Sequence, residues 1–134
     1  MINKVTTTWK SNMHFESTNP GGNLLIDAGD GEGYRPKSLM LSALAGCSGL
    51  DVVSLLKKMR AEVDDFTIDI EANLTDEHPK FYDKVKVIYN FYGSDFKKDK
   101  IEKSVKLSVE RYCGVMEMFR QFAEITTEIQ YFKR

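Results

Sequence analysis

Cysteine is scarce in this chain. Among 134 residues there are two, Cys47 and Cys113, far apart and outside any Cys-x-x-Cys pair. That excludes a disulfide scaffold and a cysteine-based zinc site, and leaves the two as candidate redox-active thiols. Histidine is as rare. His14, on an expected strand, and His78, in an expected turn, have no spacing that gathers the three or four ligands of a metal site. Neither a metal nor a cofactor is expected. An excess of one charge is missing too: 19 basic residues stand against 20 acidic ones, net −1, which gives no broad attraction to nucleic acid or to a membrane surface. Met1-Ile2-Asn3-Lys4-Val5 runs into threonines without an apolar signal core, and no window reaches the roughly 18 to 20 apolar residues of a transmembrane span. A cytoplasmic protein is expected. No repeat, linker or low-complexity stretch divides the chain, and 42% hydrophobic with 29% charged residues fit one globular domain over residues 1–134. At this size a partner subunit would help complete the core.

What is present is organised around Pro36–Arg60. Pro36 suits a first helical turn, where its missing N–H is not needed, and Lys57, Lys58 and Arg60 suit the negative end of a helix dipole. Leu39, Met40, Leu41, Leu44, Leu50, Val52, Val53, Leu55, Leu56 and Met59 leave no wide polar face, so the helix is expected to be central and buried on most sides. Its middle, Ser42-Ala43-Leu44-Ala45-Gly46-Cys47-Ser48-Gly49, is made of small residues. Each glycine costs roughly 1 kcal/mol relative to alanine, so a close backbone approach is the expected compensation.

Before this helix, Lys4–Lys10 and Met13–Ser17 read as a strand pair turning at Lys10–Asn12. Asn19-Pro20-Gly21-Gly22 forces a turn into a third strand, Asn23–Ala28, and Gly29-Asp30-Gly31-Glu32-Gly33 is a loop whose spacing fits no phosphate-binding motif. After the helix, Val63–Leu74 alternates, with Phe66, Ile68, Ile70 and Ala72 on one face, and Phe81–Tyr92 alternates again; the two are expected to pair antiparallel. Ser94 or Asp95 is the expected N-cap of an amphipathic helix carrying Phe96, Ile101, Val105, Leu107, Val109 and Tyr112, its lysines forming a solvated face. Cys113-Gly114 breaks it, Val115–Ala123 is a short further helix, and Ile125–Phe132 closes as a strand. The order βββαββααβ indicates an α+β fold rather than a doubly wound sheet.

The cysteines carry two readings. Free cysteine in a tight helix is commonly a small buried hydrophobe, and it is also the nucleophile of thiol chemistry once ionised. Asp51, four residues after Cys47, lies on the same helix face and would raise the thiol pKa unless it orients a partner; Arg35, Lys37, Arg111 and Arg120 are candidates. Cys113 precedes a short helix, where a dipole would favour thiolate.

Gly31–Gly33 leading to Arg35-Pro36, the run LMLSALAGC followed by DVVSLLKKMR, and the second cysteine in Glu110-Arg111-Tyr112-Cys113-Gly114-Val115 resemble the OsmC/Ohr family over nearly the whole chain. The resemblance implies antiparallel sheets around a long buried central helix and an intertwined homodimer with thiol sites near its interface. It also implies reduction of small organic hydroperoxides by Cys47 (peroxidatic) and Cys113 (resolving), with an external dithiol as reductant. The family's characterised hydroperoxidases activate the thiol with an arginine from the N-terminal strands and a glutamate near the start of the central helix. Here no arginine precedes Arg35, and Lys37 stands ten residues before Cys47 in place of the glutamate. Lys10 or Lys37 is left to act as the cation, without the planar fork of arginine. Cys47-x-x-x-Asp51-Val52-Val53 is similar to a less characterised branch. The alternative implied function is a non-catalytic dimer of the same fold that binds a small apolar ligand or stress metabolite. A cation within about 4 to 6 Å of the Cys47 sulfur would favour the enzyme.

Overall fold

The computed structural model describes residues 1–29 and 31–134; Asp30, within the glycine-rich loop, lies outside the described residues. The chain forms two compact units, residues 1–41 and 42–134.

The first unit holds β1 (Thr6–Ser11), β2 (His14–Asn19) and β3 (Gly22–Asp27), an antiparallel meander in that order. Asn12 turns the first hairpin at φ 45°, a left-handed conformation asparagine tolerates. Its carbonyl oxygen accepts the Trp9 indole N–H at 2.9 Å. The Asn19 side chain accepts the Gly21 N–H at 2.8 Å and shapes the second turn. The chain then returns along β3, with Tyr34 exchanging backbone hydrogen bonds with Leu25 and Asp27. Gly33 is required there, because a Cβ would lie 2.8 Å from the Leu25 backbone. Every residue of β1 is exposed.

The long helix α1 (Pro36–Lys58) forms as expected but buries less than expected. Its buried residues are Leu44, Ser48, Val52 and Leu56, a single row at four-residue spacing, while Leu50 is 77% and Val53 56% exposed. The cause is geometric: one sheet and one helical turn can cover only one stripe of a cylinder, whatever the composition of the others. The small-residue run is likewise only half used, since a Cβ on Gly49 would meet Ile68 Cδ1 at 3.2 Å whereas one on Gly46 would meet nothing within 4 Å. By length and composition α1 could cross a membrane, with a mean hydropathy of 1.8 over its best stretch, which the count of consecutive apolar residues did not register. Its one charge between Leu39 and Leu56 is Asp51, hydrogen-bonded inside the fold.

In the second unit β4 (Asp65–Leu74), β5 (Tyr82–Gly93) and β6 (Glu124–Lys133) form a sheet in that order. β4 and β5 pair antiparallel, as expected, with Phe66 opposite Phe91 and Ile68 opposite Tyr89. β5 and β6 instead run parallel, which corrects the all-antiparallel expectation. The reason is the connection: a helical crossover of some thirty residues returns the chain to the starting end of β5, as parallel pairing requires. β5 is central and supplies much of the core, with Val85, Val87, Ile88, Tyr89 and Phe91 buried.

That crossover holds α2 (Lys98–Leu107), a π-helical turn (Ser108–Tyr112) and α3 (Gly114–Arg120). α2 begins after Lys97, not at a Ser94 or Asp95 cap, and no side chain caps it. Lys97 and Lys100 are spent elsewhere: their ammonium groups donate at 3.0 Å to the carbonyls of Arg60 and Met59, closing the C-terminal end of α1. The lysine-rich face is thus partly structural. α2 buries Ile101, Ser104 and Val105, and Ser108 continues the same row into the π turn.

Candidate functional site

Cys47 sits in the middle of α1, half-buried, directly before the fully buried Ser48. Cys113 follows the π turn and is 3% exposed. Its N–H donates to the Ser108 carbonyl at 2.9 Å, and its sulfur accepts the Met116 N–H at 3.3 Å as the N-cap of α3. Two residues 66 positions apart are thereby brought near enough for one to shift the other's thiol.

The Cys113 thiol is pushed up to about 12, first by burial, then by its hydrogen bond to Cys47, with the charges of Cys47 and Asp51 adding; only the Met116 N–H opposes. Its place at a helix start is as expected, but the consequence is reversed. A dipole end supplies about 0.3–1 kcal/mol, less than one pKa unit, and burial is worth several times that. Cys113 keeps its proton.

Asp51 has found its partner in a hydroxyl. Ser108 Oγ donates to Asp51 Oδ2 at 3.0 Å and lies 2.8 Å from Ser48 Oγ, which in turn lies 2.7 Å from the Tyr89 hydroxyl. A hydroxyl has one proton. Ser108 commits its proton to Asp51, so Ser48 donates to Ser108 and Tyr89 to Ser48. Tyr89 is pushed up to about 12, mainly by burial and against the Ser48 hydrogen bond, with Cys113 and Asp51 adding.

The cations proposed from the sequence are placed otherwise. Arg120 bonds Glu117 at 2.9 Å and the Val109 carbonyl at 2.8 Å, and Arg111 lies over the Tyr112 ring. Lys10 pairs with Glu16 at 3.7 Å, while Arg35 and Lys37 are exposed in the first unit, Lys37 in the first turn of α1. Of the residues singled out from sequence, the structure gathers Cys47, Asp51 and Cys113. It adds Ser48, Tyr89 and Ser108, which sequence reading passed over. Ser104 and Ser108 interrupt the apolar row of α2, and an acid in an apolar helix requires a donor; together they were the available signal. Among the described residues, no group of three or more His, Cys, Asp or Glu is placed to hold a metal.

The family model described as OsmC-like protein matches residues 29–128, a span that includes both cysteines and the whole hydroxyl chain. The chain belongs to the OsmC-like family. Among relatives, Protein YhfA of Escherichia coli strain K12 is 30% identical over 120 residues, 88% of this chain and 90% of YhfA. A hypothetical protein from Aquifex aeolicus VF5 shares the OsmC-like fold at a TM-score of 0.91 and 28% identity, covering 100% of this chain and 98% of its own. The organic hydroperoxide resistance protein OhrB of Bacillus subtilis is similar in fold, with a TM-score of 0.68 at 20% identity over 97% of this chain and 98% of OhrB.

Proposed function

We propose that this OsmC-like protein is a cytoplasmic thiol peroxidase that reduces small organic hydroperoxides, with Cys47 as the peroxidatic and Cys113 as the resolving cysteine. One observation supports the reading: the two thiols, far apart in sequence, lie close enough that half-buried Cys47 raises the pKa of buried Cys113. The more accessible of the two sulfurs is assigned the attack, and the thiolate is the nucleophile. Attack on the hydroxyl-bearing peroxide oxygen forms an S–O bond and breaks the O–O bond. Cys47 becomes a sulfenic acid, and the alkoxide takes up a proton and leaves as the alcohol. Cys113 sulfur then attacks Cys47 sulfur; the S–S bond forms, the S–O bond breaks, and the Cys113 proton departs with the hydroxyl as water. An external dithiol restores both thiols. Lys37 stands where the family has its glutamate, but ten residues before Cys47 on one helix is about 15 Å along the axis, so any activation by its charge acts at long range. Asp51, held by Ser108, orders the pair.

A homodimer is part of the proposal. Leu50 and Val53 are exposed on α1 and, with Ala45, Gly46, Gly49, Phe66 and Ile68, line an apolar depression of about 600 Å³. A second copy would bury the face that one chain leaves open.

A second reading is a non-catalytic dimer of the same fold that holds a small apolar ligand or stress metabolite. It is favoured by the charge at the thiols, since the groups acting on Cys113 include Asp51 and no lysine or arginine. The test is reduction of cumene hydroperoxide by the fully reduced protein, counting thiols before and after, beside Cys47→Ser and Cys113→Ser. The peroxidase reading expects both wild-type thiols to be lost at the pace of peroxide consumption, and no consumption by Cys47→Ser. Survival of both thiols in excess peroxide discards it and directs the search to a bound small molecule.

A further inference from the structure

Ser108 acts in two directions. Its carbonyl oxygen accepts the Cys113 N–H at 2.9 Å and so closes the π-helical turn that ends at that cysteine. Its hydroxyl crosses to α1, donating to Asp51 at 3.0 Å and meeting Ser48 at 2.8 Å. Cys47 lies one residue before Ser48 and four before Asp51 on that helix. One residue therefore fastens the segment bearing one sulfur to the helix bearing the other.

The fastening has a single arrangement. Ser48, Tyr89 and Ser108 are each 0% exposed, so water does not compete for their hydroxyls. Every proton in the chain from Tyr89 through Ser48 and Ser108 points toward Asp51, and the other acceptor open to Ser108, the Ser48 carbonyl, is more distant at 3.4 Å. Chains of this kind polarise one another and lock their rotors. The π turn is itself an uncommon device, found frequently at functional sites. Here it sets where Cys113 emerges.

We propose that Ser108 is a positioning residue for the closing of the Cys47–Cys113 disulfide, the Asp51–Ser108–Ser48 bonds holding the Cys113 sulfur against Cys47. This deepens the peroxidase reading, but the step itself needs only a leaving group on Cys47. With a sulfenic acid the leaving group is hydroxide, departing as water with the Cys113 proton. With oxidised glutathione, Cys47 first attacks a glutathione sulfur and releases one glutathione. Cys113 then attacks Cys47 in the mixed disulfide, and the second glutathione leaves with the proton.

The experiment compares wild type, Ser108→Ala and Ser108→Thr in two arms. In the first, cumene hydroperoxide is added and consumption of the first equivalent is timed separately from loss of the second thiol. In the second, the reduced protein is mixed with oxidised glutathione, and closure is read by mass as loss of the glutathione adduct. The expected result is that Ser108→Ala closes the disulfide at least tenfold more slowly in both arms, a larger loss than any it shows in consumption of the first peroxide equivalent. Cys47 sulfinic acid should accumulate in excess peroxide, and Ser108→Thr, which keeps the hydroxyl, should return closure to within threefold. Wild-type closure in Ser108→Ala overturns the proposal. If wild type ignores peroxide while Ser108→Ala still slows closure with glutathione, the peroxidase reading fails and the positioning role stands. Should Ser108→Ala not fold, Asp51→Asn weakens the same bond while keeping the shape; threefold slower closure is then expected, and unchanged closure overturns the proposal.

Discussion

Cys47 and Cys113 are near enough for one to shift the other, yet the segments that carry them are built on opposite terms. Around Cys47, α1 is open: the sulfur is half-buried, and a side chain on the preceding Gly46 would meet nothing within 4 Å. Around Cys113 everything is closed, with 3% exposure, a backbone N–H on the sulfur and a π turn locking the approach. The helix start that should favour a thiolate thus belongs to the sulfur that burial keeps protonated, while the accessible sulfur sits mid-helix. Position relative to a helix end is a weak predictor of thiol chemistry when burial runs against it, because desolvation is the larger effect. A division of labour follows from placement alone.

The largest effect tests that division. Cys47→Ser is expected to abolish multiple turnover, whereas Cys113→Ser still consumes one equivalent of hydroperoxide and then stalls as a sulfenic acid detectable by dimedone. Equal loss of the first turnover in both variants would break the distinction. Alkylation tests it without substrate. At pH 8 a thiol with a pKa near 12 is ionised about once in 10⁴ molecules, against about a quarter for an ordinary cysteine. Iodoacetamide is therefore expected to label half-buried Cys47 well before buried Cys113, the order being read by peptide mass. Preferential labelling of Cys113 would mean that the helix start prevails after all.

Alkaline unfolding sharpens the same contrast in energy. Cys113, ordinarily near 9.0, and Tyr89, ordinarily near 10.0, are both pushed up to about 12 in the fold. Well below pH 8 both are protonated, folded or unfolded, and their contribution to stability is fully present. As pH rises toward 12 the unfolded chain loses these protons first, so the folded state binds more protons and stability falls. Each group adds at most about 1.4 kcal/mol per pH unit to that fall. Urea midpoints at pH 8 to 11 should drop more steeply for wild type than for Cys113→Ser or Tyr89→Phe. Parallel slopes in all three would show that burial does not hold those protons.

Much of this was legible in the sequence, and the limits have physical causes. Pro36 and the basic end of α1 announced its bounds, and the alternation from Phe66 to Ala72 announced β4 and its buried face. The parallel pairing of β5 with β6 was not legible, because alternation specifies a face and not a direction; direction came from the crossover. The closeness of the two thiols was expected from family resemblance rather than from any pattern in the residues. The hydroxyl chain was missed because Ser48, Tyr89 and Ser108 are as far as 60 residues apart and their hydroxyls carry no periodic signal. Asp51, an acid in an apolar helix, and the serines that interrupt the apolar row of α2 pointed toward it, and the donor Asp51 required is a serine rather than a cation.

Lys37 concerns what the open side of the pair still requires. If its charge assists the thiolate, Lys37→Gln slows peroxide consumption severalfold at neutral pH, and the loss shrinks as pH rises. An unchanged rate with an unchanged pH profile removes Lys37 from the mechanism.

The smallest effect concerns the open side itself. Glycine in a helix interior costs roughly 1 kcal/mol relative to alanine, and Gly46 has room for a methyl group in the single chain. Gly46→Ala should therefore raise stability by about 1 kcal/mol if this surface of α1 faces solvent in the working protein. If a second copy packs its backbone there, the same methyl group weakens the dimer, and the apparent melting temperature falls in a manner that depends on protein concentration. The sign of one substitution thus separates two explanations of why Cys47 is accessible: an exposed helix, or an interface that leaves a channel to the sulfur.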